Sequence, residues 1–211
     1  GLRRKSKVTD KVETLSAEDS HRAIQYAHLV VLLLDGHTML EKQDLTIARQ
    51  IIEEGRVLII GVNKWDSVKN KKVARNALSD RLETSLPQIR GVPVIFFSAL
   101  TGKGIQKILP ESFKHFDIWN RRIPTGKLNH WLEFMTERHP PPVVAGRRLR
   151  LRYITQAKTR PPTFVLFSSR GKSLPEDYRR YIANGLREDF DLPGIPIRVM
   201  IRQGKNPYAP D

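Results

Sequence analysis

Apolar positions along this chain fall into two rhythms, and each rhythm predicts an element. Short unbroken apolar runs at 29–34, 57–62 and 92–97 read as strands buried on both faces of a parallel sheet. Between them the apolar residues recur at helical spacing. From Ser16 onward Ala23, Ile24 and Ala27 form one face, with Ser16 or Asp19 as N-cap candidates. Over 41–54 the face is Leu45, Ala48, Ile51 and Ile52, and Gly55 is placed to end that helix. A helix with a polar outer face is expected over 72–86, and another up to Arg122 with a kink at Pro110. Strand and helix in alternation argue a parallel sheet with right-handed crossovers.

Ile123-Pro124-Thr125 breaks that rhythm. Thr125 is expected to cap a helix whose apolar face is Leu128, Trp131, Leu132 and Met135, and Pro140-Pro141-Pro142 ends it. Residues 147–157 then alternate, with Leu149, Leu151 and Tyr153 on one side and Arg148, Arg150 and Arg152 on the other. That predicts one half-buried strand with a cationic face. A second strand at 163–168, a helix at 175–190 carrying Tyr178, Tyr181, Ile182 and Leu186, and a third strand at 196–201 complete a small α+β domain. Its sheet is expected to be covered on one face.

Polar residues matter most where the buried strands end. The second run closes on Asn63-Lys64-Trp65-Asp66, at the carboxyl end of a strand, where open α/β sheets bind ligands. Asn-Lys-x-Asp there is a device for reading guanine. Asp66 can accept from the ring N–H and the exocyclic amine of guanine, which adenine does not offer. Lys64 can lay its stem over the base, and Asn63 can tie the loop to the phosphate side and donate to the base. The third run closes on Ser98-Ala99-Leu100. A Ser-Ala pair there can offer the Ala99 N–H to the guanine carbonyl oxygen, with Leu100 over the face opposite Lys64. Two base-reading motifs on consecutive strand ends support one another.

No Gly-x-x-x-x-Gly-Lys-Ser/Thr occurs in the 211 residues. The phosphate cradle and the hydroxyl that binds Mg²⁺ are therefore expected upstream of Gly1, and Mg²⁺ only together with them. Gly171-Lys172-Ser173 lacks the first glycine and the helix of that motif and reads as a turn. No metal-spaced His cluster and no nucleophile–His pair marks a catalytic centre.

Charge widens the picture. Lys and Arg number 37 against 22 Asp and Glu, a net charge of +15, which attracts polyanions such as nucleic acid. The arginines at 148, 150 and 152, and tyrosines on the neighbouring helix, suggest an RNA platform, although Tyr181 reads better as a core residue. With no cysteine, no apolar run near the ~20 residues of a membrane span and no secretory signal, a cytoplasmic setting is expected.

Longer stretches then carry a family likeness. Gly1-Leu2-Arg3-Arg4-Lys5, Asp35 with Gln43-Asp44, Asn63-Lys64-Trp65-Asp66 and Ser98-Ala99-Leu100-Thr101-Gly102 resemble the second GTPase domain of the Der (EngA) family. Trp119-Asn120-Arg121-Arg122, Leu128-Asn129-His130-Trp131-Leu132, Arg160-Pro161-Pro162-Thr163-Phe164 and Tyr178-Arg179-Arg180-Tyr181 extend the likeness to the chain's other half. The resemblance implies a partial GTPase domain at 1–122, the second of a tandem pair, and a KH-like domain at 123–211. It implies GTP or GDP as ligand, a role in assembly of the large ribosomal subunit, and ribosomal RNA and an upstream first GTPase domain as partners. Gly1 would end the family's Asp-x-x-Gly motif and sense the γ-phosphate, with Leu2 opening switch II. Leu2 stands where many GTPases carry the glutamine that orients water, so catalytic power would come from elsewhere, such as a monovalent cation or the ribosome. Without a P-loop this chain alone is expected not to hydrolyse GTP. The sequence departs from the family at Met39, where glycine is frequent, and from KH domains in having no Gly-x-x-Gly loop. The alternative is a nucleotide-insensitive RNA- or protein-binding fragment whose α/β half is a scaffold.

Overall fold

The computed structural model describes Asp19 and residues 21–144, 147–169 and 174–203. Gly1, Leu2 and the Gly171-Lys172-Ser173 turn lie outside the described residues. The chain divides into two units: the described residues up to Asp117 together with Gly194–Pro196, and Ile118–Pro193 together with the residues from Ile197.

In the first unit, a helix over 21–26 (α1) precedes strand β1 (Leu29–Asp35), helix α2 (Lys42–Glu53), strand β2 (Val57–Asn63), helix α3 (Lys71–Ser85) and strand β3 (Val94–Phe96). The sheet order is β1-β2-β3, all parallel, as the uninterrupted apolar runs predicted. β2 is the central strand, and every residue in it is buried except the last, Asn63. Ile60, Val62, Leu58, Leu34 and Leu32 of the sheet join Leu45, Ala48, Ile51 and Ile52 of α2 and Leu78 and Leu82 of α3 in one core. Fully burying each such side chain contributes about 1.5–3 kcal/mol.

α2 starts at a capping box. The Glu41 side chain accepts from the N3 backbone, and Asp44 accepts from the Glu41 N–H at 2.8 Å. It stops where Gly55 turns to φ +75°. Two expectations need correction. Pro110 does not interrupt the later helix: α4 (Ile108–Asn120) has it in its first turn, where its missing N–H costs nothing, and the irregularity is a 3-10 turn at Ile105–Lys107. Thr125 is not a cap. Pro124 holds the N-cap of α5 (Thr125–Arg138), with no side-chain bond.

The second unit packs α5 and α6 (Glu176–Asp189) on a three-stranded sheet of β6 (Leu151–Lys158), β7 (Thr163–Ser168) and β8 (Arg198–Gln203). Its order is β6-β7-β8, with β6 antiparallel and β8 parallel to β7. Residues 147–157 are not one strand. β5 (Arg147–Arg148) pairs with β4 (Val143–Val144) in a separate ribbon, and β6 begins only at Leu151, with a register shift before Tyr153. A bulge of this kind adds a residue, and an alternating sequence pattern does not show it. Buried Gln156 anchors the unit's start: its Oε1 accepts from the Ile123 N–H at 2.8 Å, and its amide donates to the Arg121 carbonyl at 3.0 Å.

Candidate functional site

Three parallel strands end at one edge of the first unit, and their last residues carry its chemistry. Register places Asp35 of β1 beside Asn63 of β2. The Phe97 N–H, just past β3, donates to the Val62 carbonyl at 2.9 Å, which sets Ser98 and Ala99 next to Asn63. Apolar strands thus deliver polar residues to a common rim, as the buried run with a polar end requires.

Asn63 joins the two loops. Its Oδ1 accepts from the Lys64 N–H at 2.7 Å and from the Ala99 N–H at 2.9 Å. In this structure the carboxamide therefore ties the Asn-Lys-x-Asp loop to the Ser-Ala loop. The main chain then turns sharply: Lys64 sits at φ +58°, a conformation costly for a residue with a Cβ. Its ammonium lies 2.7 Å from Asp35 Oδ2. That hydrogen bond, with the His37 N–H at 2.9 Å, holds the Asp35 carboxyl below its ordinary pKa, and the same pairing raises Lys64. The lysine head is pinned while its side chain stays 61% exposed, so its stem is available at the rim.

Asp66 is exposed one step further along. The Ser98 hydroxyl, first, and then the residue's own N–H and the Lys71 ammonium hold its carboxyl below the ordinary value. It is therefore a carboxylate at neutral pH. Ser98 itself is buried, with its Oγ accepting from the Thr101 N–H at 3.2 Å and its N–H donating to the Lys103 carbonyl at 2.9 Å. Leu100 is 90% exposed, an apolar side chain presented to solvent. Asn63, Lys64, Asp66, Ser98, Ala99 and Leu100 are thus brought to one edge.

Sequence reasoning missed the residues that brace them. The Gly36 N–H donates to the Asn63 carbonyl at 2.9 Å, and a Cβ on Gly36 would lie 2.9 Å from that oxygen and 2.9 Å from Val68. Only glycine fits so close. Ser67 donates to the Lys64 carbonyl at 2.8 Å and meets His37 at 2.9 Å. Trp65, buried, packs on Phe96 at 4.2 Å, with the Arg75 guanidinium over Phe96 at 4.3 Å. The one local signal was Asp35, an acid that ends a buried strand; its pairing with Lys64, just past the end of β2, depends on register.

In the second unit, Arg150 and Arg152 are exposed, whereas the Arg148 side chain lies outside the described residues. Arg148 falls on the β4–β5 ribbon, so these arginines do not share one strand face. The tyrosines of α6 face inward. Tyr178 is buried and donates to the His139 carbonyl at 2.6 Å, and burial pushes its phenol up to about 12. Tyr181 is half-buried, not a full core residue, and donates to the Met135 carbonyl at 3.2 Å. Among the described residues no group of three or more His, Asp or Glu could hold a metal ion. No helix among them is long and apolar enough to cross a membrane.

Two family models and a set of curated proteins match the chain. The elongation factor Tu GTP-binding domain model matches residues 17–118, and the model of the KH-domain-like C-terminal region of EngA bacterial GTPase enzymes matches 122–202. GTPase Der of Parvibaculum lavamentivorans is 50% identical over 99% of this chain, which covers 44% of that protein. GTPase Der of Hyphomonas neptunium is 47% identical over 99% of the chain, covering 41% of that protein. Among solved structures, Aquifex aeolicus Era bound to GDP and AlF4⁻ aligns at 14% identity with a TM-score of 0.47, over 98% of this chain and 75% of Era. The chain spans less than half the length of the Der relatives it matches.

Proposed function

This chain belongs to the Der (EngA) family, and on that premise we propose that its first unit reads the guanine base of GTP and GDP in a GTPase acting in assembly of the large ribosomal subunit. The observation that carries the reading is the Asp66 carboxylate, held beside Ser98 and Ala99 by the Asn63 bridge between two strand ends. Asp66 accepts from the ring N–H and the amine of guanine. Lys64, its head tied to Asp35, lays its stem along one face of the base, and Leu100 covers the other.

The Ala99 N–H, which Asn63 Oδ1 fixes in place, is the donor for the guanine carbonyl oxygen, and the Asn63 NH2 donates to the base. The phosphates, Mg²⁺ and any monovalent cation bind through residues outside this constellation. The excess of basic residues supports ribosomal RNA as the partner.

Asp66→Asn tests the base assignment. One carboxylate oxygen becomes an amide donor that faces the donors of guanine, whereas xanthine presents a carbonyl at the position of the amine. Guanine binding should fall about tenfold or more, and xanthine binding should improve. Competition of GTP and XTP against a fluorescent guanine nucleotide, with the chain extended to the length of its relatives, measures both. An unchanged preference would show that this loop does not read the base. Co-sedimentation with large ribosomal subunits tests the partner.

A further inference from the structure

The three strands of the second unit's sheet, Leu151–Lys158, Thr163–Ser168 and Arg198–Gln203, contain no acidic residue. Every described carboxylate of that unit lies instead on α5, on α6 or at Asp191. Charge is thus segregated between helices and sheet. One sheet face holds Ile154, Phe164 and Leu166, all fully buried in the helix-packed core.

The pleat sends alternate residues to the opposite face. Register sets Tyr153 beside Phe167 and Phe167 beside Arg202, and it sets Val165 beside Met200. The rings of Tyr153 and Phe167 touch at 5.8 Å, tilted 56°, which confirms that they share a face. Both are half-buried, Met200 is 49% exposed, and Arg202 and Arg198 are exposed. Arg152, exposed, falls at the β6 register shift and precedes Tyr153 in the chain.

We infer that this face is a stacking platform for single-stranded RNA, with unpaired bases on Tyr153 and Phe167 and phosphates at Arg152, Arg198 and Arg202. The inference rests on the assignment of an RNA partner made above. Thr163 and Val165 of this face are buried beneath their neighbours, while Tyr153 and Phe167 keep part of their rings exposed, and an exposed π-face is one that any unstacked base can cover. A duplex hides its base faces and gains nothing from them. Cations without acids complement a polyanion, whereas a protein surface of mixed charge would meet repulsion at each of its own basic groups. The strands lie about 4.8 Å apart, so the Tyr153–Phe167–Arg202 row places two rings and a guanidinium across roughly 10 Å, in reach of successive nucleotides.

Fluorescence anisotropy of the full chain with a short fluorescein-labelled RNA, single-stranded or annealed, tests this. The single strand should bind more tightly than the duplex. Tyr153→Ala and Phe167→Ala should each weaken it at least about fivefold, while Tyr153→Phe and Phe167→Tyr, which keep a ring, should not. Arg202→Gln should lower the log–log salt slope by about 0.7. A 2-aminopurine placed in the RNA should be quenched on binding to wild type and less so with the Ala variants. Ala variants that match wild type, or a duplex that binds as well as the single strand, overturn the platform. Sedimentation with large ribosomal subunits separates the two readings. Subunits bound equally by wild type and by Ala variants overturn the platform and keep the ribosomal partner, and wild type that fails to sediment overturns the partner itself.

Discussion

Asn63 is the residue on which the site's geometry depends, and removing its side chain has a calculable effect. Its Oδ1 receives two backbone donors, Lys64 at 2.7 Å and Ala99 at 2.9 Å. Asn63→Ala deletes both bonds. Each is worth about 0.5–1.5 kcal/mol net, and the half-exposed position lets water replace part of the loss, which leaves about 1–2 kcal/mol. For a unit near 100 residues that lowers the melting temperature by roughly 4–10 °C. Asn63→Asp separates two roles. It keeps an oxygen for both donors and should melt close to wild type, but it has no amide to give to guanine. Calorimetry of the chain and nucleotide titration of the extended protein should therefore show Ala weak in both measurements and Asp weak only in binding. An Asn63→Ala variant that melts with wild type would refute the bridging role, and an Asp variant that binds guanine as well as wild type would refute the donation.

Other outcomes follow from the same structure. Asp35 and Asp66 lie below their ordinary 3.8, so the stability they add is present above that value and is lost as pH falls through their lower folded values. Lys64 lies above its ordinary 10.5, so its share is complete below that value and is lost as pH rises through the folded one. Urea titrations should show the loops' contribution constant between these limits, and a loss between neutral pH and pH ~5 would contradict these assignments. Gln156→Leu should destabilise the second unit by about 2–4 kcal/mol, because it strips partners from the Ile123 N–H and the Arg121 carbonyl in a buried setting; a midpoint within error of wild type in denaturant would refute that. Arg150→Ala with Arg152→Ala should weaken ribosomal subunit binding and lower its salt slope by about 0.7–0.9 for each phosphate that the pair neutralises, and an unchanged slope would exclude them from the RNA surface.

Local signals carried the first unit well. A short apolar run of β-rich residues that ends in polar ones reads as a buried strand that reaches the sheet's edge, so the 57–66 stretch displayed both its burial and its candidate site. The capping box at Glu41 and the glycine after Glu54 are likewise written within a few residues. The Asp35–Lys64 pair and the Gly36 close approach are not. Both depend on register between two strands, and register is a relation between segments rather than a property of either.

The second unit shows the limit of periodicity more sharply. Alternation over 147–157 is real in the sequence, yet the chain leaves one ribbon after Arg148, enters another sheet at Leu151 and shifts register before Tyr153. A period of two assumes one pleat without interruption, and each irregularity turns the following side chains to the other face. Arg148, Arg150 and Arg152 therefore look like one stripe only on paper. Residue type alone suggests an RNA role for Tyr178, but a helix that lies on a sheet points its aromatic stripe inward, and the hydroxyls of Tyr178 and Tyr181 find backbone carbonyls there. The aromatics left for a ligand are those whose neighbours across the sheet are cations, Tyr153 and Phe167 beside Arg202. That row draws one residue from each of three strands, two of them more than thirty positions apart, so no window of sequence contains it.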